Sequence, residues 1–302
     1  MTVRVAAIDI GTNSTRLLVA DADGGALREV ERLLEITRLG DRVDADGELT
    51  EASMRRVETC VARYANRARE LDASAPLAVA TSAVRDAANG AEFMRRLEQR
   101  CGVRTRVLTG EQEARLTLRG VVSARPPSGA VVVCDIGGGS TELIAGKDGR
   151  VGFAVSLNIG CVRMSERHLH SDPPTAEEVA ALRQEAAGML PKDVPAGSLI
   201  GVAGTITTLA TIDLGLNEEI SERVDRHELS ADAVAAQLER LAALPLKERR
   251  KVRGLMPERA STIVAGTAIL AELMGHLGAE RLTVSERDIL HGAALEAADP
   301  PA

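Results

Sequence analysis

A short loop sequence occurs twice in the chain, and it constrains the fold more than any other feature. Asp9-Ile10-Gly11-Thr12-Asn13-Ser14-Thr15 returns as Asp135-Ile136-Gly137-Gly138-Gly139-Ser140-Thr141. Each copy follows an apolar, β-type run, Val5–Ile8 in the first case and Val131–Cys134 in the second. Glycine lets backbone N–H groups point at phosphate oxygens without interference from a Cβ atom. The repeat therefore predicts two similar domains that face each other across a cleft, each with a phosphate loop.

Both copies are predicted to bind phosphate through their loop residues. These residues are Gly11, Thr12, Asn13 and Ser14 in the first copy, and Gly137, Gly138, Gly139, Ser140 and Thr141 in the second. Asp9 and Asp135 are predicted to hold one or two Mg²⁺ ions, because Mg²⁺ prefers oxygen ligands and keeps several of its waters. The alternative is that each aspartate only begins a turn. Turn chemistry alone need not repeat the Ser-Thr pair, so the duplication argues against this alternative.

A third loop, Gly204-Thr205, lies where an apolar strand gives way to a helix. Backbone donors and hydroxyl groups at a helix N-terminus suit an anion, so these two residues are predicted to bind phosphate as well. Close packing between strand and helix also favours glycine and is the alternative explanation.

Composition narrows the classes of partner. Aromatic residues make up only 1% of the 302 residues and the formal charge is −7, which argues against a nucleic-acid partner. A polyanionic substrate is still compatible with this negative charge, because a few arginines and bound cations can make the electrostatic potential inside one cleft positive. No apolar stretch is long enough for a membrane span, and the chain opens directly into a strand, so we expect neither a membrane partner nor a signal peptide. The scattered cysteines, Cys60, Cys101, Cys134 and Cys161, predict reduced thiols in a cytoplasmic protein.

The order of strands and helices predicts a duplicated α/β layout. The turn Asp23-Gly24-Gly25 predicts a hairpin between strands Ser14–Ala22 and Ala26–Leu39, and Thr50 is the predicted N-cap of a helix over Glu51–Leu71. Residues 82–89 are predicted to be a loop. Two domains are expected, 1–124 and 125–302, with the boundary at Arg125–Gly129. The last helix, about 287–300, is expected to pack back on the first domain.

Three single side chains are candidates for chemistry. Glu113 lies at the start of a helix, where a carboxylate stays ionised and is able to orient an attacking water; a charged first turn that serves only the helix dipole is an equal alternative. Arg85 lies in the segment after a strand, where a guanidinium is able to reach two phosphate oxygens. Glu142 follows the second glycine loop and, on a strand, points opposite to Thr141, with a solvent-facing position as its alternative.

Taken together, these motifs resemble the exopolyphosphatase / guanosine pentaphosphate phosphohydrolase family, over nearly the whole chain and in the expected order. The motifs are Ala7–Ser14, Thr81–Arg85, Gly110–Ala114, Asp135–Glu142, Gly160–Arg163, Gly204-Thr205 and Pro257–Arg259. The resemblance implies two actin-like, ribonuclease H-like α/β domains related to those of sugar kinases, with the active site in the interdomain cleft. It also implies Mg²⁺-dependent removal of a terminal phosphate from inorganic polyphosphate or from pppGpp.

The resemblance also implies roles for individual residues. Glu113 matches the water-activating glutamate, Arg85 matches a phosphate-binding arginine, and Asp135 and Glu142 match the acids of the metal and phosphate site. Asp9, Asp135 and Glu142 are therefore the predicted metal ligands, while Glu113, Glu142 and Arg85 are the predicted catalytic residues.

The chain departs from the family pattern at two places. Gln112 stands where a second glutamate is common, and Ser285–Asp288 is altered from a more usual Ser-Asp-x-Gly.

Two other functions stay open. One is a kinase on the same scaffold, and the other is a catalytically weak protein that binds ppGpp or pppGpp and regulates a partner. The Ala- and Leu-rich helices near the C-terminus predict a homodimer.

Overall fold

A computed structural model of the chain describes residues 2–124 and 129–299. The strands are β1 Val3–Ile10, β2 Thr15–Asp23, β3 Ala26–Glu35, β4 Leu77–Ala80, β5 Arg104–Val107, β6 Ala130–Ile136, β7 Thr141–Lys147, β8 Arg150–Leu157, β9 Ser198–Val202, β10 Glu228–Ser230 and β11 Arg281–Val284.

The longer helices alternate with these strands and short helical turns connect them. The helices are α1 Val43–Asp46, α2 Glu51–Glu70, α3 Ser82–Asp86, α4 Gly90–Cys101, α5 Gly110–Ala124, α6 Cys161–His168, α7 Ala176–Met189, α8 Ala203–Asp213, α9 Ser221–Val224, α10 Ala231–Ala242, α11 Leu246–Arg249, α12 Ile263–Leu277 and α13 Ile289–Ala298, with a 3₁₀ turn at Pro257–Arg259.

The chain divides into two compact units, one of Met1–Pro127 with Arg287–Ala302 and the other of Ser128–Glu286. The predicted boundary at Arg125–Gly129 lies almost wholly outside the described residues. Helix α13 packs against β1 and α5 of the first unit.

The two units share a five-strand sheet topology, to which the second unit adds β10, antiparallel to β11. In the first unit the order is β3-β2-β1-β4-β5, and in the second it is β10-β11-β9-β6-β7-β8. Strands β1, β2 and β3 form an antiparallel meander, and β4 and β5 then run parallel to β1. Strands β6, β7 and β8 repeat the meander, and β9 and β11 repeat the parallel part. The predicted duplication is confirmed, and it places both glycine loops at the carboxyl end of a central strand.

Each face of the first sheet is covered. Ala6, Ile8 and Ile10 pack in one cluster with residues of α2 and α4, whereas Val5 and Ala7 pack in another with residues of α13. Alternate residues of a strand point to opposite faces, so a sheet buried on both faces is apolar throughout. This explains why β1 reads as one continuous apolar run up to Asp9.

The second unit has one large core beneath β6. Its centre is α12, in which ten residues from Ile263 to Met274 are buried. Helix α12 therefore uses its apolar surface inside its own unit, and α13 does the same in the first unit. Most residues of both helices are thus buried within the chain, and the homodimer stays a prediction.

The local predictions mostly agree with the structure. Thr50 caps α2 by accepting a hydrogen bond from Ser53 N at 3.1 Å. Strand β3, however, ends at Glu35 rather than at Leu39, because the chain turns there toward the first glycine loop. The predicted loop 82–89 contains the short helix α3, which has too few residues to show a helical apolar period. Within the part of the chain that the structure describes, no helix is both long and apolar enough to cross a membrane.

Candidate active site

The two glycine loops have the same backbone turn. Gly11 N donates to Ser14 O at 2.9 Å, and Gly137 N donates to Ser140 O at 3.0 Å. Each loop closes an antiparallel pair of strands, β1 with β2 and β6 with β7. The repeated sequence therefore encodes a repeated four-residue loop.

In the second loop the carbonyl groups point back into the unit. Gly138 O accepts a hydrogen bond from Val162 N at 2.8 Å, and Gly139 O accepts one from Arg163 Nε at 2.8 Å. Among residues 2–124 and 129–299, the N–H groups of Gly138 and Gly139 donate no hydrogen bond. Consecutive N–H groups without an internal acceptor form an anion-binding concavity. The second loop is thus suited to phosphate through its backbone.

The first loop is held in a comparable way by the segment after β3. Arg38 N donates to Asn13 O at 2.9 Å, and Gly40 N donates to Thr12 O at 2.8 Å. A Cβ atom on Gly40 would lie 2.1 Å from Thr12 Cγ2, so only glycine fits there. The Thr12 hydroxyl forms a 2.9 Å hydrogen bond with that of Ser82 in α3. The loop is therefore tied to the segment that carries Arg85.

Some of the residues predicted to bind phosphate have side chains that are buried inside the protein. The Thr141 hydroxyl is buried and donates to Ile159 O, and Ser140 is 2% exposed. In the first copy the equivalent Thr15 hydroxyl is buried against Thr37 at 2.9 Å. These threonine hydroxyls hold the fold, which leaves the backbone as the phosphate-binding element at these positions.

Arg85 and Glu113 form an ion pair in the first unit. Strands β4 and β5 are parallel, so the segments that follow them lie at the same edge of the sheet. Arg85 Nη1 donates to Glu113 Oε2 at 2.9 Å and to the carbonyl oxygen of Leu108 at 3.1 Å. Glu113 is only 6% exposed, so a cation fixes this buried carboxylate in one orientation.

Gln112 belongs to the cap of helix α5. Its side-chain oxygen accepts a hydrogen bond from Thr109 N at 2.9 Å, while Gln112 N donates to Thr109 Oγ1 at 3.2 Å. This reciprocal pair is a capping box, a role that glutamine fills as well as glutamate. Although Gln112 differs from the glutamate that is common in the family, it still caps the helix that positions Glu113.

Asp135 and Glu142 lie directly opposite each other on β6 and β7. Opposite side chains in such a pair have Cβ atoms about 5 Å apart on one face. Both are buried, at 7% and 1% exposure, and the Ser156 hydroxyl donates to Glu142 Oε1 at 2.6 Å. The alternative that Glu142 is a solvent-facing strand residue is therefore wrong. Two buried carboxylates side by side attract a cation.

The equivalent position in the first unit carries the opposite charge. Asp9 lies opposite Arg16, which donates from Nε and Nη2 to Asp9 Oδ2 at 2.9 and 2.7 Å. Arg16 also forms an ion pair with Asp288 at the start of α13. Burial raises the pKa of Asp9, whereas the charge of Arg16 acts to lower it. Burial would likewise raise the pKa of Asp288, but Arg16 and His291 hold that pKa well below its usual range.

The fit to Mg²⁺ therefore differs between the two aspartates. Within residues 2–124 and 129–299, no three His, Cys, Asp or Glu side chains form a group able to hold a metal by themselves. Mg²⁺ needs no such group, since it is usually held by one or two carboxylates with waters and substrate phosphates. The Asp135–Glu142 pair fits that requirement. Asp9 has the Arg16 guanidinium on Oδ2, while its buried Oδ1 has no hydrogen-bond partner among the described residues, so Asp9 as a metal ligand stays a prediction.

Gly204 is explained by close packing. A Cβ atom on Gly204 would lie 2.7 Å from Cζ of Arg259. Arg259 is 8% exposed, and its Nη1 donates to Gly204 O and to Thr208 Oγ1, both at 2.7 Å. Thr205 is buried, at 6% exposure. The packing alternative thus accounts for Gly204, and it brings a guanidinium to this loop.

Sequence reasoning gave no role to Asp288 or Ser156. Asp288 is one of the residues that departs from the family pattern, and it caps α13 by accepting a hydrogen bond from Leu290 N at 3.0 Å. An aspartate directly before an apolar run is an N-cap signal that would have identified this role. Ser156 had no such signal, because its partner comes from the neighbouring strand.

Comparison with known proteins places the chain in a family. The model of the Ppx/GppA phosphatase family matches residues 18–299. The chain is 38% identical to exopolyphosphatase 2 of Mycobacterium tuberculosis over 98% of both sequences. It is 30% identical to a bifunctional 3-dehydroquinate synthase/phosphatase of Fusobacterium nucleatum over 96% of this chain and 46% of that protein.

Solved structures of similar proteins support the same family assignment. The crystal structure of the Ppx/GppA family member of Aquifex aeolicus has a TM-score of 0.82 and 32% identity, covering 98% of this chain and 97% of that one. An exopolyphosphatase from Cytophaga hutchinsonii has a TM-score of 0.87 and 25% identity, covering 98% and 99%. The chain belongs to the Ppx/GppA phosphatase family, whose members hydrolyse phosphoanhydride bonds. Its α/β fold consists of two actin-like domains.

Proposed function

We propose that the chain removes the terminal phosphate of inorganic polyphosphate by Mg²⁺-dependent hydrolysis. The observation that carries the proposal is the ion pair between Arg85 and the buried Glu113, a carboxylate held 2.9 Å from a guanidinium. The similarity to exopolyphosphatase 2 of Mycobacterium tuberculosis supports polyphosphate as the substrate. Removing the terminal phosphate of pppGpp cleaves the same type of bond, so pppGpp is the second substrate class of the proposal.

Each residue has a role that its surroundings support. Glu113 aligns and deprotonates the attacking water. Arg85 holds the Glu113 carboxylate with one nitrogen and binds a phosphate oxygen with the rest of its guanidinium. The N–H groups of Gly138 and Gly139 bind phosphate oxygens. Asp135 and Glu142 would hold Mg²⁺, which supplies positive charge to the transferred phosphoryl group when bound.

The first test is Glu113→Gln. Glutamine retains the shape and a hydrogen-bond acceptor for Arg85, but it cannot take a proton. We expect turnover to fall at least about 100-fold with little change in KM, the scale for loss of a general base. Phosphate release from long polyphosphate, short polyphosphate and pppGpp, with and without Mg²⁺, is the measurement.

Glu111→Gln is the matched control. Glu111 lies on the same helical turn but is exposed and pairs with Arg115, so the control should retain full turnover. Near wild-type turnover of Glu113→Gln would contradict the role of Glu113, and no phosphate release by the wild type from any of the substrates would contradict the proposed function.

We also propose that the protein acts in the cytoplasm. All four cysteines are free and buried, which supports a reducing compartment. A homodimer stays a prediction, and light scattering of the purified chain is its test.

A further inference from the structure

The second glycine loop cannot fix its own conformation. It contains three consecutive glycines, Gly137–Gly139. Glycine adopts left-handed and right-handed backbone conformations about equally readily, so such a segment does not determine the direction of its own peptide groups. An element outside the loop must therefore set the direction in which the N–H groups of the loop point.

The backbone of helix α6 provides the first part of this support. The first N–H groups of a helix have no acceptor within the helix, and the N-cap of α6 is a glycine without a capping side chain. These N–H groups donate to the loop instead. Cys161 N donates to Gly137 O at 2.9 Å, and Val162 N and Arg163 N donate to Gly138 O at 2.8 and 3.1 Å. The carbonyl groups of the first two glycines are thus fixed by backbone donors.

The carbonyl group of the third glycine is held by a side chain. In the described parts of the chain, Gly139 O accepts no backbone hydrogen bond. It accepts one from Arg163 Nε at 2.8 Å. A hydrogen bond from a charged donor is about twice as strong as one between neutral groups. The Arg163 side chain therefore completes the support that the backbone of α6 begins.

This hydrogen bond also determines the direction of the next N–H group. Gly139 C=O and Ser140 N–H belong to one trans peptide group, in which they point in opposite directions. Because the carbonyl is turned toward Arg163, Ser140 N–H is turned away from it. Ser140 is 2% exposed, and its N–H has no hydrogen-bond acceptor among the described residues. Buried N–H groups are normally paired, so an unpaired one in this loop is suited to a phosphate oxygen.

We infer that Arg163 is a positioning residue, which directs Ser140 N–H at the substrate phosphate through its hydrogen bond to Gly139 O. The inference rests on the proposed function. The alternative is that the guanidinium binds a phosphate group itself. Positioning requires a hydrogen-bond donor at the place of Nε, whereas direct binding requires the positive charge.

Two substitutions of Arg163 separate these roles. In Arg163→Gln the side-chain nitrogen is as many bonds from Cα as the arginine Nε, so glutamine offers an N–H donor there without a charge. In Arg163→Met a methyl group takes that place, and both the donor and the charge are lost. The two variants therefore differ mainly in the hydrogen bond to Gly139 O.

Arg163→Met should lower kcat/KM for polyphosphate by roughly 30-fold, the scale for one hydrogen bond from a charged donor. Arg163→Gln should stay within about fivefold of the wild type, because a neutral hydrogen bond retains about half of that contribution. The affinity for inorganic phosphate, measured by isothermal titration calorimetry with Mg²⁺ present, should fall in the same order. The urea midpoints of the two variants should agree, since both retain the backbone hydrogen bonds from α6 to the loop.

Arg167→Met is the matched control. Arg167 lies one turn further along α6, where its side chain is 37% exposed and forms an ion pair with Glu185. This variant removes the same charge from the same helix without touching the loop. It should leave both kcat/KM and the affinity for inorganic phosphate unchanged.

The outcomes are distinct. An equal loss of kcat/KM in Arg163→Gln and Arg163→Met would show that the charge itself acts on the substrate, and it would overturn the positioning role. Full activity of Arg163→Met would overturn it as well, and both results leave the proposed function intact. Absence of polyphosphate hydrolysis by the wild type refutes the proposed function instead, and the order of the affinities for inorganic phosphate then still tests the inference.

Discussion

Two equivalent positions in the duplicated fold carry opposite charges. Opposite Asp135 the second unit has Glu142, whereas opposite Asp9 the first unit has Arg16. One pair of carboxylates is suited to a cation that comes with the substrate. The other aspartate carries its counter-ion within the chain, and that counter-ion is shared with Asp288. The difference at this one position, Arg16 in the first copy and Glu142 in the second, is thus enough to give the two copies different chemistry.

This difference predicts a large stability cost for Arg16→Gln. The substitution leaves Asp9 and Asp288 as buried carboxylates without their guanidinium. Removing one partner of a buried ion pair costs about 3–5 kcal/mol, so the free energy of unfolding in urea should fall by that order. Adding Asp288→Asn should recover part of the loss, because it removes one of the two charges left behind.

An exposed pair provides the control for that measurement. Arg55 forms an i, i+4 ion pair with Glu51 on the surface of α2, with side chains 72% and 49% exposed. Arg55→Gln should change the free energy of unfolding by less than about 0.5 kcal/mol. If Arg16→Gln costs no more than Arg55→Gln, the buried pair does not stabilise the first unit in the way we describe.

At the scale of elements, sequence and structure agree best where a pattern is local. The glycine loops, the hairpin at Asp23–Gly25 and the cap at Thr50 follow from a few neighbouring residues. Contacts between residues far apart in the sequence cannot be predicted in this way. Arg16 and Asp288 are 272 positions apart, and no spacing in the sequence indicates that they meet. The position of Glu113 was predictable, but its pairing with Arg85 depends on two parallel strands lying side by side.

The second glycine loop depends on the close approach of another element. Gly160, directly before α6, has an ordinary extended backbone, yet a Cβ atom there would lie 2.3 Å from Gly138 O. Gly160→Ala should therefore displace the loop while leaving the rest of the fold in place. A displacement of about 1 Å at a phosphate-binding loop is expected to lower kcat/KM by about 100-fold.

Gly188 is the matched control for Gly160→Ala. It lies on α7, and a Cβ atom added there meets nothing within 4 Å. Gly188→Ala should leave kcat/KM unchanged and raise the melting temperature slightly, because alanine favours helix more than glycine does. Equal activities of the two variants would show that the loop tolerates the added methyl group.

At the scale of the molecule, the two ends of the chain meet in one unit. Helix α13 follows the whole second unit in sequence but packs on β1 of the first. Its first turn brings Asp288 to Arg16 and His291 to Glu29 of β3, the latter at 3.0 Å. The C-terminal helix is therefore fixed by charge as well as by apolar packing.

These charges predict how stability depends on pH. Burial lowers the pKa of His291, but hydrogen bonds to Asp288 and Glu29 outweigh it and raise the pKa above its ordinary value. Asp288 N lies 3.4 Å from His291 Nδ1, a contact that needs a neutral ring. We take the ring as protonated, because that contact is long and two carboxylates face it. Three arginines compete with the ring for these carboxylates: Arg16 pairs with Asp288, and Arg32 and Arg287 act on Glu29.

A raised pKa in the folded state means that the protonated His291 stabilises the fold fully below its unfolded pKa of about 6.5. That contribution is lost as the pH rises through the folded value. The urea midpoint should therefore fall as the pH rises above about 6.5. His291→Gln should be less stable than the wild type at about pH 6 and should show a flatter pH dependence. Parallel curves for the two proteins over this range would mean that His291 is neutral in the folded chain and that α13 is held by packing and by the Arg16–Asp288 pair alone.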